Sequence, residues 1–419
     1  MDVGGTHYAA EGIGAGGRSH RAPADYNLAV SDASVGVYVH VPFCERVCPY
    51  CDFAVVAARP LAMEPERRYV AALRRELDAR RGAFAGRRLA SLYLGGGTPS
   101  LLRPESVAEL VRAVREAFGG EASDETTLEV NPSTLERERL AGFRAAGVTR
   151  LSVGIQSFDD TVLRRLGRAH RAEEARLTLA ACRAAGFAAI SLDLIFAAPG
   201  QTLAGFERDL DEALGFAPEH VSTYELTIEA GTPFATAAAR GRLVRPDEEL
   251  VLAMQERAEA RLRAAGLRRY ELSNYARLGF EAVHNRRYWE RRPVLGLGVG
   301  ACSYDPPDAD AAFGVRRANR RELAGYLQCV EQDRSPEAEP AERLDAATAR
   351  GEAMFLGLRA GGVDAARFEG DFGAPPQGFF RAQIEALSEA GLLDEAASGD
   401  LRLTARGWQL ADHVAAYFV

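Results

Sequence analysis

From Val35 onward the sequence repeats one unit: a short apolar, β-branched run followed by a segment with apolar residues at helical spacing. The runs fall at 35–41, 89–94, 127–130, 150–155, 188–196 and 221–226. Helical segments lie between them, near 66–80, 105–118, 136–145, 172–185 and 203–214. Apolar strands alternating with helices imply right-handed crossovers and a parallel sheet. Val70, Leu73 and Leu77 give the first helix its stripe. Ala146-Gly147 and Ala185-Gly186 close two helices with C-cap glycines. Cys44, Cys48, Cys51, Gly95, Glu129, Gln156, Asp193 and Glu225 all sit at or just past a strand's C-terminal end. That edge is the catalytic rim of a βα barrel, so a barrel, complete or partial, is expected over an open doubly wound sheet. An open sheet binds ligands at the same edge, so the pattern places the site more firmly than it fixes closure.

Residues 1–34, rich in Gly, Ala, Ser and Asp, read as a flexible extension. Residues 35–305 form the barrel core, including a strand-like region at 269–276, His284 to Trp289, and a Gly-rich stretch at 295–304. From 306 to 419 the pattern changes to linkers at 306–314 and 335–341, helices near 344–358 and 383–390, and a wing-like hairpin through Leu401 before a last helix. This stretch reads as an accessory domain. Hydrophobic residues make up 47% and charged residues 26% of the 419, which excludes wholesale disorder. No stretch of 18 uncharged apolar residues occurs, and the first residues lack a basic then apolar leader. No transmembrane helix or secretory signal is therefore expected, and the protein is placed in the cytoplasm. The net charge of −8 argues against a nucleic-acid partner. All 51 basic residues are Arg, which excludes Schiff-base and P-loop lysine chemistry.

Three of the six cysteines lie within eight residues, in Tyr38-Val-His-Val-Pro-Phe-Cys44-Glu-Arg-Val-Cys48-Pro-Tyr-Cys51. A tight cluster in a reducing compartment points to metal rather than a disulfide framework. Three thiolates hold three corners of a 4Fe-4S cluster and leave its fourth iron open. Zinc is the competing metal, although structural zinc usually takes four closed ligands. His40 offers a fourth, but its place within a strand suits a packed histidine better. The next strand ends in Leu92-Tyr-Leu-Gly95-Gly96-Gly97-Thr98-Pro99, where backbone amides without Cβ atoms admit a carboxylate or phosphate. It is neither a P-loop nor a dinucleotide fingerprint.

These two motifs are followed in order by Leu128-Glu129-Val-Asn-Pro132, Ser152-Val-Gly-Ile-Gln156-Ser-Phe158, Gly167-Arg168-Ala-His170 and Asp193-Leu-Ile-Phe-Ala-Ala-Pro-Gly-Gln-Thr202. The set resembles the radical S-adenosylmethionine branch that holds oxygen-independent coproporphyrinogen III dehydrogenases (HemN type) and related haem chaperones (HemW type). The resemblance spans about 35–304 strongly. It implies a partial (β/α)6-type radical SAM barrel with a small C-terminal helical, winged-helix-like domain. It implies that Cys44, Cys48 and Cys51 ligate a 4Fe-4S cluster. It also implies that Tyr38, Tyr50, Gly96, Gly97, Thr98, Glu129, Gln156, Arg168 and Asp193 surround S-adenosylmethionine. Carboxylates suit its ammonium, sulfonium and ribose hydroxyls, and Arg168 suits its carboxylate.

Two features separate the branches. The dehydrogenases carry a fourth cysteine two residues after the third, and here that residue is Phe53. The chaperones carry His-Asn-x-x-Tyr-Trp, which stands here as His284-Asn285-Arg-Arg-Tyr288-Trp289. The resemblance therefore implies a haem chaperone binding haem through His284, Asn285, Tyr288 and Trp289. It would deliver haem to respiratory haem proteins, with at most peripheral membrane contact and a homodimer left open. A neutral imidazole suits haem iron, and Arg286, Arg287, Arg291 and Arg292 suit its propionates. The bland alternative is a structural histidine beside a solvated arginine face. The competing function is decarboxylation of coproporphyrinogen III to protoporphyrinogen IX through a 5′-deoxyadenosyl radical. Cys302 stands where this family has histidine and is expected to be buried. Ala197 replaces the usual glycine.

Overall fold

The structure, a computed structural model, describes residues 33–122 and 124–419, so nearly all of the extension at 1–34 lies outside the described residues. Strands and helices alternate as the sequence predicts: β1 Ser34–Val41, α1 Met63–Arg80, β2 Arg88–Gly96, α2 Pro104–Phe118, β3 Glu125–Val130, α3 Thr134–Ala145, β4 Arg150–Gln156, α4 Asp160–Arg165, α5 Ala172–Ala184, β5 Ala189–Phe196, α6 Leu203–Gly215 and β6 His220–Glu225. Then come α7 Pro233–Ala239, α8 Glu248–Ala264, β7 Arg268–Arg269, β8 Asn274–Ala276, α9 Val283–Trp289, β9 Val294–Leu297, β10 Cys302–Asp305, β11 Val315–Ala318, α10 Leu323–Glu331 and β12 Glu342–Arg343.

These strands form one sheet in the order β12-β11-β10-β9-β1-β2-β3-β4-β5-β6-β8-β7. Its centre, from β9 to β6, is parallel, and both flanks are antiparallel. The end strands do not pair, so the barrel is partial. The region at 269–276 is not one strand but two short antiparallel pieces around a turn.

Strand alternation sorts the side chains. Val35, Val37, Val39, Leu92, Leu94, Leu128, Leu151, Val153, Ile190, Leu192 and Val221 face the helices and join one continuous buried core. Each such side chain contributes about 1.5–3 kcal/mol by leaving water. The alternate positions carry Tyr38, His40, Ser91, Tyr93, Glu129, Ser152, Asp193, His220 and Ser222. The inner face is therefore polar and aromatic, unlike a barrel filled with aliphatic layers.

Residues 306–343 add β11 and β12 to the main sheet, and Tyr326, Leu327 and Val330 of α10 join its core. A second core begins at Ala349 and gathers Met354, Leu358, Phe368, Ile384, Leu401 and Val414. It is built from α11 Ala346–Leu358, α12 Ala365–Phe372, α13 Pro376–Glu389, the hairpin β13 Leu393–Glu395 with β14 Leu401–Leu403, and the short helices α14 Ala405–Gln409 and α15 Ala411–Ala415. No helix among the described residues is long and apolar enough to cross a membrane.

Candidate functional site

Pro42 ends β1, and the chain turns over the C-terminal edge of the sheet as the three-cysteine loop. Phe43–Cys44 pairs with Val56–Ala57 across its base, and Ala58 N donates to Cys44 O at 2.7 Å. The glycines ending β2 complete the clamp, with Gly97 N donating to Val41 O and Thr98 N to Phe43 O, each at 2.8 Å. A Cβ on Gly97 would lie 2.8 Å from Phe43 O and 2.9 Å from Cys44 Sγ, so only glycine permits this approach.

From the clamp a hydrogen-bonded arc joins two of the thiols. Thr98 Oγ1 points at Cys44 Sγ from 3.8 Å. Asn131 Nδ2 donates to Thr98 Oγ1 at 2.7 Å, and Arg168 Nη2 donates to Asn131 Oδ1 at 2.5 Å. Arg168 Nη1 then reaches Cys48 Sγ at 3.8 Å. A hydroxyl and a guanidinium directed at sulfur favour its thiolate form. Burial acts the other way, raising the Cys51 thiol and pushing Cys44 up to about 12. Those two thiols thus stay protonated at neutral pH until a metal takes them. Among the described residues no three His, Cys, Asp or Glu side chains are gathered tightly enough to hold a metal ion. His40 has partners on both ring nitrogens, Tyr38 OH at 3.1 Å and Ala54 O at 3.0 Å, and so is a packed histidine.

Inside the rim, Tyr93 OH donates to Glu129 Oε1 at 2.8 Å, and Gly96 N to Glu129 Oε2 at 3.1 Å. Asp193 accepts from Ser152 Oγ at 2.9 Å. Gln156 has a left-handed φ of 67° where the β4–β5 register shifts, a conformation rare outside glycine. Among the described residues its buried Oε1 has no partner, and neither does Nε of Arg168. An orphaned acceptor and an orphaned cationic donor, beside two half-buried carboxylates, fit the ammonium, hydroxyls and carboxylate of S-adenosylmethionine. Tyr50 packs on Phe234 at the far side of the cysteine loop, ring centroids 6.1 Å apart.

The haem-motif residues lie deeper. The segment 283–289 forms α9, whose first amides are capped by Glu125, with His284 N donating to Oε1 at 2.9 Å and Val283 N to Oε2 at 3.0 Å. His284 is 1% exposed. Ser91 Oγ lies 3.0 Å from its Nδ1, and Tyr288 OH lies 3.1 Å from its Nε2. Its ring stacks on Tyr93 at 5.3 Å and on Tyr38 at 6.2 Å. The histidine therefore stands under the Glu129 pocket, separated from it by a tyrosine layer. Burial holds the imidazole neutral, which is the form that ligates iron. Iron on Nε2 would displace the Tyr288 hydroxyl. Asn285 is buried, and Trp289 faces the C-terminal domain under Arg359. Contrary to expectation, Cys302 is exposed, on the side of β10 that neighbours Tyr38 and Tyr288, while the alternating Ser303 is buried.

Sequence reasoning passed over Asn131, Tyr93, Ser91 and Glu125. Asn131 and Tyr93 lay inside the quoted motifs, whereas nothing local marks Ser91 or Glu125.

Burial raises the Glu129 carboxyl above the usual carboxylate range. A raised carboxyl favours the fold in its protonated form, so this contribution to stability is present at low pH and is lost as pH rises through the raised pKa. Cation binding needs the ionised form. Affinity for S-adenosylmethionine is accordingly expected to tighten as pH rises toward the raised pKa of about 7 and to level off above it. Calorimetric titration across pH in wild type and Glu129→Gln checks this, the variant binding weakly and without that slope.

With this geometry in place, the comparisons decide the family. The Radical SAM superfamily model matches residues 38–213, and the HemN C-terminal domain model matches residues 344–410. The heme chaperone HemW of Bacillus subtilis is 33% identical over 389 residues, covering 91% of this chain and 98% of that protein. This chain belongs to the HemW family. The heme chaperone HemW of Mycobacterium tuberculosis is 37% identical over 382 residues, covering 90% of this chain and 93% of its own length. Among solved structures, coproporphyrinogen III oxidase (HemN) from Escherichia coli superposes with a TM-score of 0.77 at 25% identity, over 92% of this chain and 90% of that one. This chain and the HemN neighbour thus share one architecture, a radical SAM barrel with a C-terminal domain.

Proposed function

We propose that this chain binds haem and passes it to acceptor haem proteins, respiratory ones among them. It would carry a 4Fe-4S cluster on Cys44, Cys48 and Cys51. S-adenosylmethionine would lie against Tyr38, Tyr50, Gly96, Gly97, Thr98, Glu129, Gln156, Arg168 and Asp193. The bound cofactor pair supplies radical chemistry where a substrate can reach it.

One observation carries the choice of chaperone over dehydrogenase: the inner face of the barrel carries an aromatic stack and carboxylates rather than a row of cations. His284, Tyr93 and Tyr38 occupy it as a buried stack. The lining adds the carboxylates Glu129 and Asp193, both raised by burial. A porphyrinogen carrying several propionates would meet these acids, with the nearby cation Arg168 already held by Asn131 and Gly154 O, and like charges in a poorly solvated site are costly. Phe53 at the fourth-cysteine position and the HemW names of the relatives support the same reading.

The test is anaerobic incubation with coproporphyrinogen III, S-adenosylmethionine and reductant. No protoporphyrinogen IX is expected, whereas turnover at the rate of a dehydrogenase would defeat the proposal. A parallel haem titration should give a saturable spectrum, weakened and altered in His284→Ala. An unchanged spectrum and affinity would remove His284 as the ligand.

A further inference from the structure

The four arginines of the haem-motif segment are already engaged. Arg286 pairs with Glu290 at 2.8 Å and Arg291 with Glu352 at 2.9 Å. Arg292 lies 3.6 Å from Glu290. Arg287 is buried and donates to Ser34 O and Pro293 O, each at 3.0 Å. Each already has a carboxylate or carbonyl partner, and the two that face solvent, Arg286 and Arg292, share Glu290.

Arg359 differs. It caps the C-terminal end of α11 and is 6% exposed. Its guanidinium lies over the indole of Trp289, 5.9 Å from the ring centroid, and over Phe355 at 4.5 Å. Nη2 donates to Asp412 Oδ1, while Nε and Nη1 are buried with no partner among the described residues. Buried guanidinium N–H groups are normally satisfied, most strongly by carboxylate oxygens in a bidentate fork. The one group already on this guanidinium is a carboxylate, and the Asp412 side chain is 73% exposed. The cation thus lies directly beneath a solvent-facing acid, against the aromatic end of the haem motif.

We propose that Arg359 is the carboxylate-binding residue of the haem site, receiving a porphyrin propionate beside Trp289 in competition with Asp412. This rests on the haem-binding reading above. It moves the propionate contact from the motif's own arginines to the C-terminal domain, which then becomes part of the binding site. The orphaned Nε and Nη1 take the incoming oxygens, and the Trp289 face supplies flat apolar contact to the macrocycle edge.

The experiment titrates the full chain, anaerobically reconstituted, with haem and with haem dimethyl ester, whose propionates are esterified. Wild type is expected to prefer haem by roughly tenfold, the scale of one charge-assisted pair. Arg359→Gln should lose that preference by weakening haem binding alone, with ester affinity and cluster absorption unchanged. Asp412→Asn alters only an exposed carboxylate and should tighten haem, not ester, by about threefold as the competing pair is removed. A preference that persists in Arg359→Gln, equal losses for haem and ester, or no tightening in Asp412→Asn overturns the proposal. Failure of wild type to bind either porphyrin overturns the haem reading itself and this proposal with it.

Discussion

Anaerobically reconstituted Cys48→Ala protein is expected to hold less than about a tenth of the parent chain's iron and sulfide, because each missing thiolate removes one corner of the cluster. The broad visible absorption of iron–sulfur charge transfer should vanish with it. The effect is large because the loop offers no substitute ligand. His40 is tied to Tyr38 and Ala54, and Cys182 and Cys329 are buried elsewhere in the core. Arg168 would also lose the sulfur it faces, leaving its guanidinium with Asn131, Gly154 O and Tyr50. Iron and sulfide analysis with absorption spectroscopy decides it. A variant that keeps full cluster content would show that Cys48 is not a ligand.

Gly97→Ala is expected to produce the next largest effect. Its methyl group would press on Phe43 O, Val41 O and Cys44 Sγ, all within 2.9 Å. Two of these are the carbonyls that Gly97 N and Thr98 N hold at 2.8 Å, so relief means opening the clamp between β2 and the cysteine loop. Overpacking of this kind costs about 1–3 kcal/mol. The same opening pulls Thr98 from Cys44 and from Asn131, so cluster content and S-adenosylmethionine affinity should fall together with the melting temperature. Thermal melts beside iron analysis read both, and an unchanged pair would mean that the close approach is not needed.

How far the sequence foretold this molecule depended on how much of each signal was local. The six parallel strands and five of the six helices between them emerge within a few residues of their expected bounds, α4 being the one not foreseen, because continuous Val, Leu and Ile runs mark buried strands. Helix α8 carried no such mark. Its buried residues are Met254, Ala258 and Leu262, a stripe too narrow to stand out from Glu and Arg. The break at 270–273 between β7 and β8, and the recruitment of 306–343 into the main sheet, are set by tertiary pairing that no window of sequence displays. Ala197 was legible as an oddity. Its φ of 59° is the left-handed backbone that favours glycine, and alanine bears the strain here.

At the site, the cysteine loop and the glycine run ending β2 are plain in the sequence because each is local, whereas the clamp of Gly97 and Thr98 on Val41 and Phe43 joins distant segments and emerges only in the fold. The arc from Cys44 through Thr98, Asn131 and Arg168 to Cys48 joins residues from four separate segments and needs the fold to be seen. The same holds for His284. The motif that suggests a ligand is plain in the sequence, but its burial beneath Tyr93, with Ser91 and Tyr288 on its nitrogens, is a tertiary fact.

The most direct test loads the anaerobically reconstituted chain with haem and mixes it with a haem-free acceptor protein, following the acceptor's spectrum. Saturable loading followed by appearance of the acceptor's haem spectrum is the predicted result. A chain that takes up no haem, yet converts coproporphyrinogen III to protoporphyrinogen IX, would contradict it.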